Sequence, residues 1–282
     1  MQLIQLPAHV CFPNQDTAAE SFIDWVFPAI QERVQACLSQ HWTAEDDNWF
    51  RDRAILTSRN ELAANINEQI LALLDASTDF VAKSVDSIVD PEPEDEVNFP
   101  SEYLNSLILS GLPPHELHLR RGAIVILIRN LNRDRGICNG CRCLVLGMSI
   151  RMLDVRILSG PSKGERLLLP RMRLDSSAQE LPFTLRRRQF PIRLAWAMSI
   201  HKAQGQTLTR CGVYLPDPVF THGQLYVAAS RSSTPSGLKF LLGQNLGHGF
   251  QDSADNEFEG PYTQHCLSPS STPEFGPARA TH

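Results

Sequence analysis

The sequence predicts an α/β chain interrupted by a small, strand-rich unit, and three observations predict it. First, residues 54–57 are a short apolar run followed by the cap-type residues Ser58 and Asn60. A helical stripe through Leu62, Ile66, Ile70 and Leu73 comes next, so the segment reads strand, turn, helix. Second, residues 120–174 are short apolar runs (RRGAIVILIRN, CRCLVLGMSI, MLDVRILSG, ERLLLPRM) separated by turn signals such as NG and SGPSKG. That spacing suits a small β-barrel or meander. Third, α/β texture returns after residue 184 in AWAMSIHKAQGQTL, CGVYLPDPV, GQLYVAASR and GLKFLL.

The elements follow in order. SFIDWVFPAIQERVQACL carries apolar residues at helical spacing, interrupted by Pro28. FVAKSVDSIV alternates as one strand does. DPEPEDE is acidic and proline-bearing, so it reads as an exposed linker. SEYLNSLILSGLPPHELHL reads as a short helix broken by Gly111, Pro113 and Pro114, and Asn139-Gly140 as a hairpin turn. Beyond Gly243 the Gly, Ser, Pro and acidic composition predicts a disordered tail.

Composition narrows the function classes. The 282 residues carry a formal charge of -5 and are 42% hydrophobic, a soluble globular balance with no apolar run long enough to span a membrane. The start of the chain does not read as a signal peptide, and seven cysteines read as reduced intracellular thiols. Residues 120–210 hold 18 of the 26 Lys+Arg and only 5 of the 31 Asp+Glu. This basic block, nearly all Arg, either engages a polyanion or is neutralised by its acidic flanks. Cys138, Cys141 and Cys143 form C-x-x-C-x-C. A zinc site there needs a fourth ligand, such as Cys211 or a distant His, and alternation would splay the side chains, so structural thiols are the favoured reading and no metal site is expected.

Two motifs carry a resemblance. IHKAQGQTL at 200–208 resembles the fifth helicase motif of superfamily-1 DNA helicases, and GQLYVAASR the sixth. Their separation, with VFP at 26–28, AILTSRNELAANIN at 54–67 and NFPSEYLNSLILSGLPPHEL at 98–117, is similar to that in petite-integration-frequency (Pif-type) helicases, Helitron-like branch. The likeness runs over roughly residues 1–242. It implies an ATP-dependent 5′-to-3′ DNA helicase, with a RecA-like second motor domain of P-loop NTPase type interrupted by a Src-homology-3-like barrel. The implied organisation is a helical segment at 1–52, motor domain at 53–90, acidic linker and short helix at 91–119, basic barrel at 120–183, motor domain again at 184–243, and a tail at 244–282. Nuclear localisation is implied by the same likeness.

The resemblance also assigns residues. Arg231 becomes the arginine finger aimed at the γ-phosphate of ATP, against the alternative of a helix-end Arg paired with a carboxylate. Gln204, Gly205, Gln206 and Thr207 face the nucleotide, Gly205 because a Cβ would obstruct close approach. His201 and Lys202 reach single-stranded DNA. The alternative for the whole stretch is a helix N-terminus with polar caps. Arg59 faces the nucleotide cleft or DNA, or is a surface residue at a helix start. Arg186, Arg187 and Arg188 extend the phosphate-binding surface of the barrel.

No Gly-Lys dipeptide occurs, so the sequence has no G-x-x-x-x-G-K-[ST] phosphate loop, nor a strand ending in the paired acid that holds Mg²⁺. In the family both lie in a first motor domain. ATP and Mg²⁺ therefore require that domain, and this chain alone is expected to be inactive: a single-strand-binding module or an inert transposon-derived remnant is the alternative. Ala229 stands where the family motif bears leucine, and Ser follows where a β-branched residue is usual.

Overall fold

The computed structural model describes residues 6–12, 18–39, 42–91, 98–177, 181–216 and 223–243. Residues 92–96 of the expected linker at 90–96, and the tail at 244–282, lie outside these residues.

Three helices open the fold: α1 (Ala18–Val26), α2 (Ile30–Ser39) and α3 (Ala44–Arg51). Pro28 and Ala29, the latter at φ 48°, break the first from the second. A capping box starts α3, with Thr43 and Asp46 satisfying each other's backbone N–H groups. The helices bury Phe22, Val26, Phe27, Ile30, Val34 and Phe50.

The α/β layer is a four-stranded, all-parallel sheet. Its order is β12 (Ala197–Ser199), β1 (Arg53–Thr57), β13 (Arg210–Leu215), β14 (Leu238–Leu242). A parallel sheet is covered on both faces, and the strand period separates the two sets here. Ile55, Ala197, Tyr214 and Leu241 join the core with α1 and with α4 (Asn60–Ala72). Ala54, Leu56, Met198, Cys211, Val213 and Phe240 form a second core with α6 (Gln224–Ala229). Gly212 lets α1 lie close: a Cβ there would fall 2.7 Å from the Phe22 ring and 2.8 Å from Val26. The α4 N-cap is Arg59, with no side-chain cap; Ser58 does not cap it.

The strand-rich unit is larger than its sequence suggests. A five-stranded antiparallel sheet runs β11 (Ile192–Leu194), β5 (Ile124–Leu127), β6 (Arg142–Met148), β7 (Met152–Ile157), β8 (Arg166–Pro170). A three-stranded sheet runs β3 (Val85–Ile88), β10 (Leu185–Gln189), β9 (Met172–Asp175). Residues 185–194, read as part of an apolar run in the second part of the motor domain, supply β10 and β11, which pair with strands of this unit. The strand expected at 80–89 is two: β2 (Phe80–Lys83) pairs with β4 (Glu116–Leu119), while β3 pairs with β10. Ser84 makes the break, its N–H donating to His115 O at 2.9 Å. HELHL, read as the end of a broken helix, supplies β4, and only α5 (Ser101–Ser106) is helical there. Asn139-Gly140 does turn, with Gly140 at φ +89°, but it closes a longer excursion between β5 and β6.

Candidate functional site

The stretch IHKAQGQTL leaves β12 as a single 3₁₀ turn, Ile200–Ala203, and not as a capped helix; Ser199 makes no side-chain cap. Ile200, Ala203 and Leu208 are buried and hold the loop to the second core. His201, Gln204 and Thr207 are exposed between these anchors. Gly205 adopts φ +83°, yet a Cβ there would meet nothing within 4 Å. Its reason is therefore backbone conformation and not close approach of protein atoms. Gly205→Ala is expected to cost about 1–2 kcal/mol in chemical unfolding, and Gly205→Asn less.

Arg231 closes the loop from the other side. Its Nε donates to Val227 O at 2.9 Å, its Nη1 to Gln206 O at 3.1 Å and Ala203 O at 3.5 Å, and its Nη2 to Ser230 Oγ at 2.9 Å. The backbone is tied too, Leu208 N–H donating to Arg231 O at 2.8 Å. The two motifs thus form one unit. The guanidinium is turned onto the carbonyls of the loop, not onto a carboxylate.

The flanks of this unit place the remaining candidates. Lys202 Nζ donates to Asn60 Oδ1 at 3.1 Å, which joins the loop to the start of α4. Burial, then the Arg193 charge, lowers the Lys202 pKa. Arg59 is exposed at that helix start. Ser58, expected as a cap, is buried beside Gln224: Gln224 Nε2 donates to Ser58 O at 3.4 Å, while Ser58 Oγ and Gln224 Oε1 have no hydrogen-bond partner among the described residues. Gln224 went unread in the sequence; the signal available was its place as the second residue of GQLYVAASR. A cleft of about 310 Å³ lies beside the loop, lined by Gln206, Thr207, Arg51, Gly140, Arg142 and Ser159.

The basic block is mostly spent on structure. Arg187 is fully buried and salt-bridged to Asp86 at 2.6 Å, so it is no part of a phosphate-binding surface. Strand alternation explains this: Arg186 and Arg188 face out while Arg187 faces in. Arg186 pairs with Asp175 through two bonds of 2.8 and 2.7 Å. Arg120 caps α4, donating to the carbonyls of Leu71, Ala72 and Leu74, and pairs with Asp79. Arg156 pairs with Asp47. Arg142, fully buried, donates to Arg51 O, Arg53 O and Ala195 O and so staples β6 to the parallel sheet; burial brings its pKa down to about 10. The acidic flanks therefore do neutralise part of the block.

Cys141 and Cys143 are both buried, and the interaction of the two thiols holds Cys141 below the usual thiol range while it pushes Cys143 up. Cys211 lies in the other core, where burial pushes it to about 12.

Comparison with known proteins adds to this geometry. Residues 102–148 match the family model described as DNA helicase Pif1, 2B domain. The chain is 41% identical over 128 residues to the human ATP-dependent DNA helicase PIF1, covering 44% of this chain and 19% of that protein. It is 28% identical over 215 residues to the Campylobacter jejuni ATP-dependent DNA helicase Pif1, covering 73% of this chain and 46% of that protein. The chain thus spans less than half the length of these relatives. Its fold is similar to the crystal structure of Pif1 helicase from Candida albicans, with TM-score 0.53 and 23% identity over 79% of this chain and 53% of that one. Over these segments the chain is similar to Pif1 helicases in sequence, and it shares their fold.

Proposed function

We propose that this chain is the portion of an ATP-dependent DNA helicase that senses nucleotide and single-stranded DNA on opposite sides of one loop. The observation that supports it is the Arg231–Gln206 contact, which ties the two motifs into one element. Engagement of Arg231 by a phosphate means giving up the Gln206 carbonyl, and the loop that carries His201 and Lys202 then changes its constraints. That is a two-state link between the ligands. In this reading the five-stranded sheet serves as the Src-homology-3-like unit beside the DNA path.

The donors present fit a phosphate anion: the Arg231 guanidinium, the Gln204 and Gln206 amides and the Thr207 hydroxyl. They do not fit Mg²⁺, which takes oxygen ligands, carboxylates above all. No group of His, Cys, Asp or Glu among the described residues could hold a metal. ATP supplies the transferable phosphoryl group; Arg231 orients toward it and spreads its charge, and the loop carries the response to DNA. A first motor domain supplies the phosphate loop as partner.

Fluorescence anisotropy with a labelled oligo-dT tests the DNA side. The chain is expected to bind it, and His201→Ala with Lys202→Ala to weaken binding about thirtyfold or more, with each of the two contacts worth about 1 kcal/mol or more. Unchanged affinity in the double variant removes the loop from the DNA path.

A further inference from the structure

Most arginines of the strand-rich unit have a carboxylate or carbonyl partner; four, Arg133, Arg151, Arg173 and Arg188, have none among the described residues. Two of those four are direct cross-strand neighbours: Arg188 of β10 stands opposite Arg173 of β9. Both are exposed, on the outer face of the three-stranded sheet. The next pair on the same face, Arg186 opposite Asp175, shows what the register does elsewhere: a bidentate ion pair. Like charges directly opposed destabilise a sheet, and the Arg188 charge also disfavours its neighbour Arg171. Val85 completes the row beyond Arg188 and is 66% exposed.

We infer that Arg173 and Arg188 form a phosphodiester-binding site for a nucleic-acid backbone. The inference rests on the reading of the chain as DNA-engaging and adds the residues that hold the strand outside the motor loop. Two opposed guanidinium forks match the non-bridging oxygens of one phosphate, which cancels their repulsion. The cross-strand row Val85, Arg188, Arg173 carries no aromatic side chain, so it offers no stacking platform for a base. A free anion on such a surface gains only about 1 kcal/mol per charge in water. A polyanion whose other phosphates are held nearby gains far more, through effective concentration and counterion release.

The test uses the full chain and a fluorescein-labelled oligo-dT, with affinity measured against KCl concentration. Arg173→Gln and Arg188→Gln are each expected to lower the slope of log affinity on log salt by part of the about 0.7 that one phosphate contributes. Arg173→Glu creates a cross-strand ion pair with Arg188 and takes both guanidiniums from the phosphate, so it should lower the slope by the full share of one phosphate, about 0.7, while thermal stability holds or rises. Binding whose slope ignores all three substitutions overturns this site alone. No oligonucleotide binding by the unsubstituted chain overturns the site together with the functional reading. Displacement by inorganic phosphate at constant ionic strength, lost in Arg173→Gln, marks a small-anion site and overturns the backbone assignment.

Discussion

Arg187→Met is expected to destabilise the chain by about 3–5 kcal/mol. The guanidinium spends all five of its N–H groups inside the fold. Nε and Nη2 bond Asp86, Nη1 donates to Leu107 O at 3.2 Å and Pro113 O at 3.0 Å, and Nη2 donates to Leu104 O at 3.1 Å. Removing it leaves a carboxylate with 1% side-chain exposure beside only Ser84 and His115, and strips three buried carbonyls of a donor. A buried charge without its partner is costly, and so is each unpaired carbonyl. Arg187→Lys repairs little, because an ammonium brings three donors without the planar fork. Thermal unfolding followed by circular dichroism should show a fall of roughly 10 °C or more. A midpoint within two or three degrees of the parent (about 1 kcal/mol) would mean that the segment 104–113 finds other donors.

Arg231→Ala is expected to lower ATP turnover by about 10³-fold or more in a chain joined to a first motor domain. The loss belongs to the phosphoryl-transfer step, where a planar cation stabilises charge spreading over the γ-phosphate. Nucleotide and oligonucleotide binding should largely persist. Arg231→Lys should recover little, since Lys neither forks onto the phosphate nor reaches both Gln206 and Ala203 in the resting loop. Single-turnover kinetics separate this effect from binding. Equal loss of ATP affinity and turnover contradicts the assignment.

Local pattern made much of this molecule legible. The run 54–57 and the stripe through Ile66 and Ile70 became β1 and α4, and the polar loop between Ile200 and Leu208 lies where a core strand ends. Three things were hidden. Ser84 splits one alternating run between two sheets, and alternation alone does not say with which partner each half pairs. Strand β10 carries three arginines in a row, and only its period of two tells that the middle one is inside; read as a patch of charge, it looked like a surface. The acids that meet Arg120, Arg156 and Arg187 come from residues 47–86, so composition by block concealed the long-range pairing. For Gly205 the sequence reading was close approach to a nucleotide; the structure adds a positive φ, and nothing in the protein stands within 4 Å of where a Cβ would lie.

The most direct measurement is DNA-stimulated ATP hydrolysis by the 282-residue chain alone and by the same chain joined to a first motor domain that carries a phosphate loop. Hydrolysis by the joined chain only, lost in Arg231→Ala, is the expected result. Robust hydrolysis by the chain alone, or turnover in the joined chain that does not depend on Arg231, contradicts it.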